Sequence, residues 1–307
     1  MLPCQQAPNS CSILRAVRAA IAVFLSAVLI SAPLSAQRPI TRSVFIEAAG
    51  PDEKLLTDLT AADVEVTENG APRKVVRVTP GSTPMRIVLM VDSSTPVLPM
   101  MASFKTALTA FADALPPIHE VSFVSSGGQI RVRTPPSRDR DRLRAETANF
   151  APQGGANAFL DTMVEADKRF LKAAPEFWPV FVIVTTDNGE NYREPDVPAY
   201  NAFMTDLRAR AGAVHAVIVQ GKRTGPVSVF ITNLTDNVAG SLTIINTDNS
   251  LSARLREIAE RLAVDHDKMR GRYEVAFEGD PKIVQPVVAV AITRLGANVL
   301  MSVRRPF

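Results

Sequence analysis

An unbroken apolar run, Ile87-Val88-Leu89-Met90-Val91, constrains this chain more than any other segment. A strand with no polar alternation is buried on both faces, which is the condition of a parallel sheet covered by helices. The run ends at Asp92-Ser93-Ser94-Thr95-Pro96, an acid, three hydroxyls and a proline. In open α/β sheets ligands bind beyond the carboxyl ends of the strands. Oxygen-bearing side chains placed there suit a hard cation such as Mg2+. A second strand-like run, Val180 to Thr185, leads into Thr186-Asp187-Asn188-Gly189-Glu190. The sequence therefore places two acid-bearing loops at one end of one sheet.

The pattern around these runs is β, then alternating α and β, then β. Val64 to Thr67 alternates apolar and polar residues, and Asn69-Gly70 supplies a hairpin turn before Val75 to Val78. From Arg86 onward strands alternate with helical spacings such as Met101, Phe104, Leu108, Phe111 and Leu115. Leu251, Leu255, Ile258 and Leu262 mark a further helix, and Val214 to Val219 a further strand. Residues 221–250 are rich in Thr, Asn, Asp and Gly and show only apolar islands. Tyr273, Val275 and Phe277 restore strand alternation, followed by Val288 to Ile292 and Val299 to Val303. The reading divides the chain into 1–36, a β-rich segment 37–83, an α/β domain 84–265 and a C-terminal β segment 266–307.

The N-terminus follows different rules. Arg15 and Arg18 precede an apolar segment, Ala19 to Ala32, and small residues follow up to Ala36. This order is that of an export signal cleaved after Ala36. A retained segment would instead tether the protein to a membrane. Both cysteines, Cys4 and Cys11, lie in this segment, so cleavage removes every thiol and excludes disulfides. The segment also carries two arginines and no acid, and its loss lowers the net charge from +3 to +1. A nearly neutral protein has no global field to favour nucleic acid. The expected location is the periplasm, the cell envelope or the medium.

No Walker A loop, nucleophile elbow, His-Glu-x-x-His or dinucleotide fingerprint occurs. The three histidines, His119, His215 and His266, are scattered at a strand edge, a strand interior and a helix end. Asp92 and Ser94 also have an ordinary reading, as residues that end a strand and cap the next helix. The alternating run Ser137 to Arg142 reads as a solvated helix start.

Asp92 and Ser94, Gly154-Gly155-Ala156-Asn157 and Asp187-Asn188-Gly189 together resemble a von Willebrand factor type A domain over roughly residues 84–265. The resemblance implies a Rossmann-like α/β fold with a mainly parallel sheet, flanked here by N- and C-terminal β segments. Leu56 to Val66, Glu68 to Pro72, Arg272-Tyr273 and the end Arg304-Arg305-Pro306-Phe307 resemble the flanks of exported bacterial, often acidobacterial, proteins of this class. The family's metal-ion-dependent adhesion site uses an Asp-x-Ser-x-Ser loop, a threonine and a second aspartate. Asp92, Ser94 and Asp187 match that pattern, whereas Pro96 and Ala156 stand where a serine and a threonine belong. The expectation is a vestigial site that binds Mg2+ weakly or not at all, with no other cofactor. Thr95, Asn157 or water are the available substitutes for the lost hydroxyls.

The resemblance implies a non-enzymatic module that binds a protein partner through Thr95, Pro96, Ala156, Asn157 and Asn188. An envelope assembly factor acting through the β flanks is the alternative. A hydrolase is the weakest reading, since no His or Lys in these loops serves Ser94 as a base.

Overall fold

The computed structural model describes residues 39–187, 196–221 and 225–303. The segment 1–36 expected to direct export, Asn188, Gly189, Glu190 and the end Arg304 to Phe307 lie outside the described residues. Strands β1 (Ile40–Ala49), β2 (Val64–Glu68), β3 (Ala71–Arg73) and β4 (Val75–Pro80) come first. The central part follows as β5 (Met85–Val91), α1 (Met101–Ala114), β6 (Glu120–Ser125), β7 (Arg131–Ser137), α2 (Arg140–Ala148) and α3 (Phe159–Ala166). It continues with β8 (Trp178–Asp187), α4 (Val197–Ala209), β9 (Ala213–Gln220), α5 (Pro226–Asn237), β10 (Ala239–Ile245) and α6 (Leu251–Lys268). Strands β11 (Arg272–Gly279), β12 (Val288–Ile292) and β13 (Asn298–Val303) complete it.

The central sheet has the order β10-β9-β8-β5-β6-β7. All neighbours are parallel except β6 and β7. Ile87, Leu89 and Val91 pack under α1 and α6, while Val88 and Met90 pack under α3, α4 and α5. This two-sided burial explains why β5 shows no alternation in sequence. The chain first builds outward from β5 through β6, then returns to add β8, β9 and β10 on the other side. The order therefore reverses between β5 and β8, which opens the crevice where such sheets bind ligands.

The flanking strands form two antiparallel sheets, β13-β1-β11-β4 and β12-β2-β3. β1 pairs with β11 and β2 with β12, so the two ends of the chain complete each other. Hairpins alone are marginal in water, and this pairing gives them a shared core. Val44, Ile46, Val66, Tyr273, Val275 and Phe277 fill that core. Asn69 (φ 50°) and Gly70 (φ 81°) make the expected left-handed turn between β2 and β3. Two carboxylates are fully buried here. Glu68 is bridged by Arg42 at 3.0 Å and Arg73 at 2.9 Å, and Glu274 by Arg77 at 2.9 Å. Pairing offsets the cost of desolvating each charge.

Trp178 at the start of β8 lies 6.0 Å from Phe45 of β1, ring to ring. The flank thus abuts the N-terminal ends of the central strands, and a seven-residue strand of about 23 Å separates it from the C-terminal ends. His119 and His266 meet edge to face at 4.7 Å in this lower region, where His119 Nδ1 accepts the Met85 N–H at 3.2 Å. Within residues 225–250 lie α5 and β10, each built on one of the apolar islands. In the charge run before α2, Asp139 caps the helix through the Arg142 N–H, as a helix start should. Arg140 departs from the solvated reading: it is buried and donates to the carbonyls of Pro116 and His119, each at 2.8 Å.

Candidate functional site at the carboxyl ends of β5 and β8

Asp92 follows β5 directly and is 1 % exposed. Its N–H donates to the Val184 carbonyl of β8 at 2.8 Å, which continues the parallel ladder beyond β5. One carboxylate oxygen accepts the Ser94 N–H at 2.8 Å. The other accepts the Thr186 N–H at 3.1 Å and the Thr186 hydroxyl. One oxygen of Asp92 therefore holds its own loop and the other ties β5 to β8.

Ser93, the intervening residue of the motif, holds the second loop. Its hydroxyl accepts the Gly127 N–H at 2.8 Å, and its carbonyl accepts the N–H groups of Gln153 at 2.7 Å and Gly154 at 3.1 Å. Position 127 requires glycine, because an added Cβ would lie 2.6 Å from the Ser93 carbonyl oxygen. Asn157 points inward and is 3 % exposed. Its amide donates to the Thr185 hydroxyl at 2.9 Å and its oxygen accepts the Ser126 hydroxyl at 2.8 Å. Asn157 thus braces the loops from below and offers no surface to a partner.

Asp187 ends β8 at 2 % exposure. One oxygen accepts the Ser228 N–H of α5 at 3.1 Å. Its other oxygen and the Ser94 hydroxyl are buried without a hydrogen-bond partner among the described residues. Thr95 is exposed, and Pro96 and Ala156 are half-buried at the rim. A recess of about 290 Å³ opens beside them, bounded by Pro96, Met100, Thr186, Val219, Gln220 and Asp248.

The structure brings Asp92, Ser94, Ala156, Asn157 and Asp187 to one end of the sheet, with Ser93 among them. Sequence reasoning missed Thr186, Ser93 and Ser126 as members of the network. Their hydroxyls carried no signal, since hydrogen-bond partners more than thirty residues away exist only in the fold.

A divalent cation finds a poor fit among these residues. Octahedral Mg2+ requires six oxygens close to ideal geometry. Asp92 accepts hydrogen bonds from Ser94 and Thr186, Pro96 and Ala156 carry no side-chain oxygen, and the side-chain oxygens left in the described loops are the Ser94 and Thr95 hydroxyls and one Asp187 oxygen. Among the described residues no group of three His, Cys, Asp or Glu side chains could hold a metal.

No sequence-family model matches the chain, and no curated protein matches it in sequence. Solved structures do match its fold. A von Willebrand factor type A protein from Catenulispora acidiphila superposes with a TM-score of 0.52 at 12 % identity, over 88 % of this chain and 74 % of that one. This chain has the von Willebrand factor type A fold. BatB from Bacteroides thetaiotaomicron aligns over 59 % of this chain and 99 % of its own, with 13 % identity and a TM-score of 0.45. The von Willebrand domain of the pili tip protein Mfa5 from Porphyromonas gingivalis covers 59 % and 96 %, with 9 % identity and a TM-score of 0.43. Among the described residues no helix is long and apolar enough to cross a membrane.

Proposed function

We infer that this chain is an exported protein-binding module that engages its partner at the loops after β5 and β8 without a bridging cation. One observation carries this reading: both oxygens of Asp92 accept hydrogen bonds from protein groups, the Ser94 N–H on one and the Thr186 N–H and hydroxyl on the other, which hold the loop frame. Thr95 and Pro96, with the 53 % exposed Leu98, form the accessible rim of that frame. Such a rim binds through shape, apolar contact and neutral hydrogen bonds. Binding is favoured over catalysis because the described loops carry no His or Lys to serve Ser94 as a base. The basic, apolar and small-residue order of the N-terminus supports export.

A second reading places the contact on the β flank, where Val284 and Leu295 are 88 % and 97 % exposed. Photocrosslinkers at Thr95, Ala156 and Leu295, used in the native envelope with and without a chelator, test both. Capture at Thr95 and Ala156 that survives the chelator is the expected result. Capture only at Leu295 would transfer the function to the flank, and loss with the chelator would overturn the cation-free mechanism.

A further inference from the structure

We propose that Arg131 and Arg133 of β7 form a guanidinium subsite that takes an acidic side chain of the protein partner, beside the docking loops. The inference rests on the reading of those loops as the docking face. Arg131 stands opposite Ser125, the last residue of β6, so β7 begins at the same sheet end as the loops. Pairing passes from Val124–Val132 to Phe123–Thr134 and skips Arg133. A bulge of this kind re-aims a side chain. Both guanidiniums meet the Gln153 amide. With its oxygen turned toward these donors, Gln153 accepts Arg131 Nε at 2.9 Å and Arg133 Nη2 at 3.2 Å. Arg133 Nη2 also donates to the Ala151 carbonyl at 2.9 Å, and its guanidinium carbon lies 5.8 Å from the centre of the buried Phe150 ring. The Gln153 N–H is itself held by the Ser93 carbonyl, and a Cβ on the next residue, Gly154, would lie 3.9 Å from the Thr95 hydroxyl. One short loop therefore joins the arginine pair to the Thr95 rim.

The occupant follows from charge and place. Among the described residues no carboxylate is in ion-pair contact with either arginine, whereas Arg144 of α2 meets Asp113 and Asp141 at 2.6 Å each. Burial and the charge of Arg131 lower the pKa of Arg133, and Glu146 opposes this from beyond ion-pair distance. Arg133 Nε is buried without a partner among the described residues. Arg131 is exposed and spends only its Nε on Gln153. Its two Nη groups remain for a ligand, and such a fork pairs with a carboxylate through two parallel hydrogen bonds. A carboxylate also relieves the repulsion between two neighbouring guanidiniums. A partner seated on Thr95 carries its adjoining residues across Gln153 to this pair. The subsite adds charge selection to a rim that otherwise binds through neutral contacts.

Titration of the purified full chain with hexaglutamate blocked at both ends, and with hexaglutamine as control, tests the subsite. Hexaglutamate should bind and hexaglutamine should not. The affinity should fall about tenfold in Arg131→Gln and in Arg133→Gln. Raising the salt from about 0.05 to 0.5 M should weaken binding to the parent. Arg131 is exposed, so Arg131→Gln keeps the fold and decides the matter if Arg133→Gln does not fold. Absence of binding, equal binding of hexaglutamine, or an affinity unchanged in Arg131→Gln would overturn the proposal. Displacement of the peptide by equimolar inorganic phosphate would do the same, by assigning the pair to a phosphoryl group. The titration reads the arginines alone, whereas crosslinking at Thr95 reads the loops, so the two readings fail separately. Capture at Thr95 that is undiminished in Arg131→Gln would remove the subsite from the docking face and leave the loop reading intact.

Discussion

One carboxylate oxygen of Asp187, at the end of β8, accepts the backbone N–H of Ser228 in the first turn of α5 at 3.1 Å. That helix begins at Gly225-Pro226, and Gly225 has no side chain to act as a cap. Asp187 supplies the missing acceptor from another element, and its charge lies at the positive end of the helix dipole. An aspartate that the resemblance assigns to a metal site therefore works as a helix cap. Asp187→Ala should destabilise the fold by about 1–2 kcal/mol. Asp187→Asn keeps an acceptor and should cost less. Urea unfolding of the two variants measures the difference, and equal losses would show that the cap contributes little.

Adding the two hydroxyls of the family pattern should strengthen cation binding. Pro96→Ser combined with Ala156→Thr returns both hydroxyls to the rim. A competent site at a hundred times its dissociation constant stabilises a fold by about 2.7 kcal/mol, on the order of 5 °C in melting temperature here. The parent should move by no more than about a degree in millimolar Mg2+. A large rise in the parent that vanishes in Asp92→Ala would mean that water or Thr95 has rebuilt the site.

Asn157 is the brace beneath the loops, and its removal should cost more than a surface polar change. Asn157→Ala leaves the hydroxyls of Ser126 and Thr185 without their amide partner in a buried place. A loss of about 2–4 kcal/mol is expected, with faster exchange of the Ala158 amide, which donates to the Ser126 carbonyl at 2.8 Å. An unchanged melting temperature would assign the ordering of this loop to Ser93 alone.

Burial lowers the pKa values of His119 and His215 to about 4 each. Both are neutral in the folded chain, whereas the unfolded chain takes up their protons near pH 6.5. Their contribution to stability is therefore complete above pH 6.5 and is lost as the pH falls from 6.5 towards 4. Each depressed histidine adds a slope of up to about 1.4 kcal/mol per pH unit in that window. His215→Gln should flatten the dependence by one such increment in denaturant titrations at several pH values. Parallel curves for parent and variant would place the titration elsewhere.

Local pattern was sufficient for most elements because their burial leaves a period in the sequence. The apolar run of β5, the spacing of Leu251, Leu255, Ile258 and Leu262 in α6, and the alternation of Tyr273, Val275 and Phe277 in β11 all mark their elements directly. Segment 226–245 was not legible in this way. In α5 only Val227, Ser228, Ile231 and Leu234 are buried, among Thr, Asn and Asp residues that weaken helical propensity. Its helix depends on packing against the sheet.

By itself the sequence determined the alternation of strands and helices, the resemblance of the central segment and the gathering of Asp92, Ser94 and Asp187 at one sheet end. Those features depend on residues near one another in the chain or on the direction of parallel strands. The tertiary structure alone decided what the side chains do there. Thr186 satisfies Asp92 across 94 positions, Asp187 caps α5 across 41, and Asn157 reaches Thr185 across 28. Hydrogen bonds of this kind form only between buried groups that packing has already placed within reach, and residue type does not encode that distance.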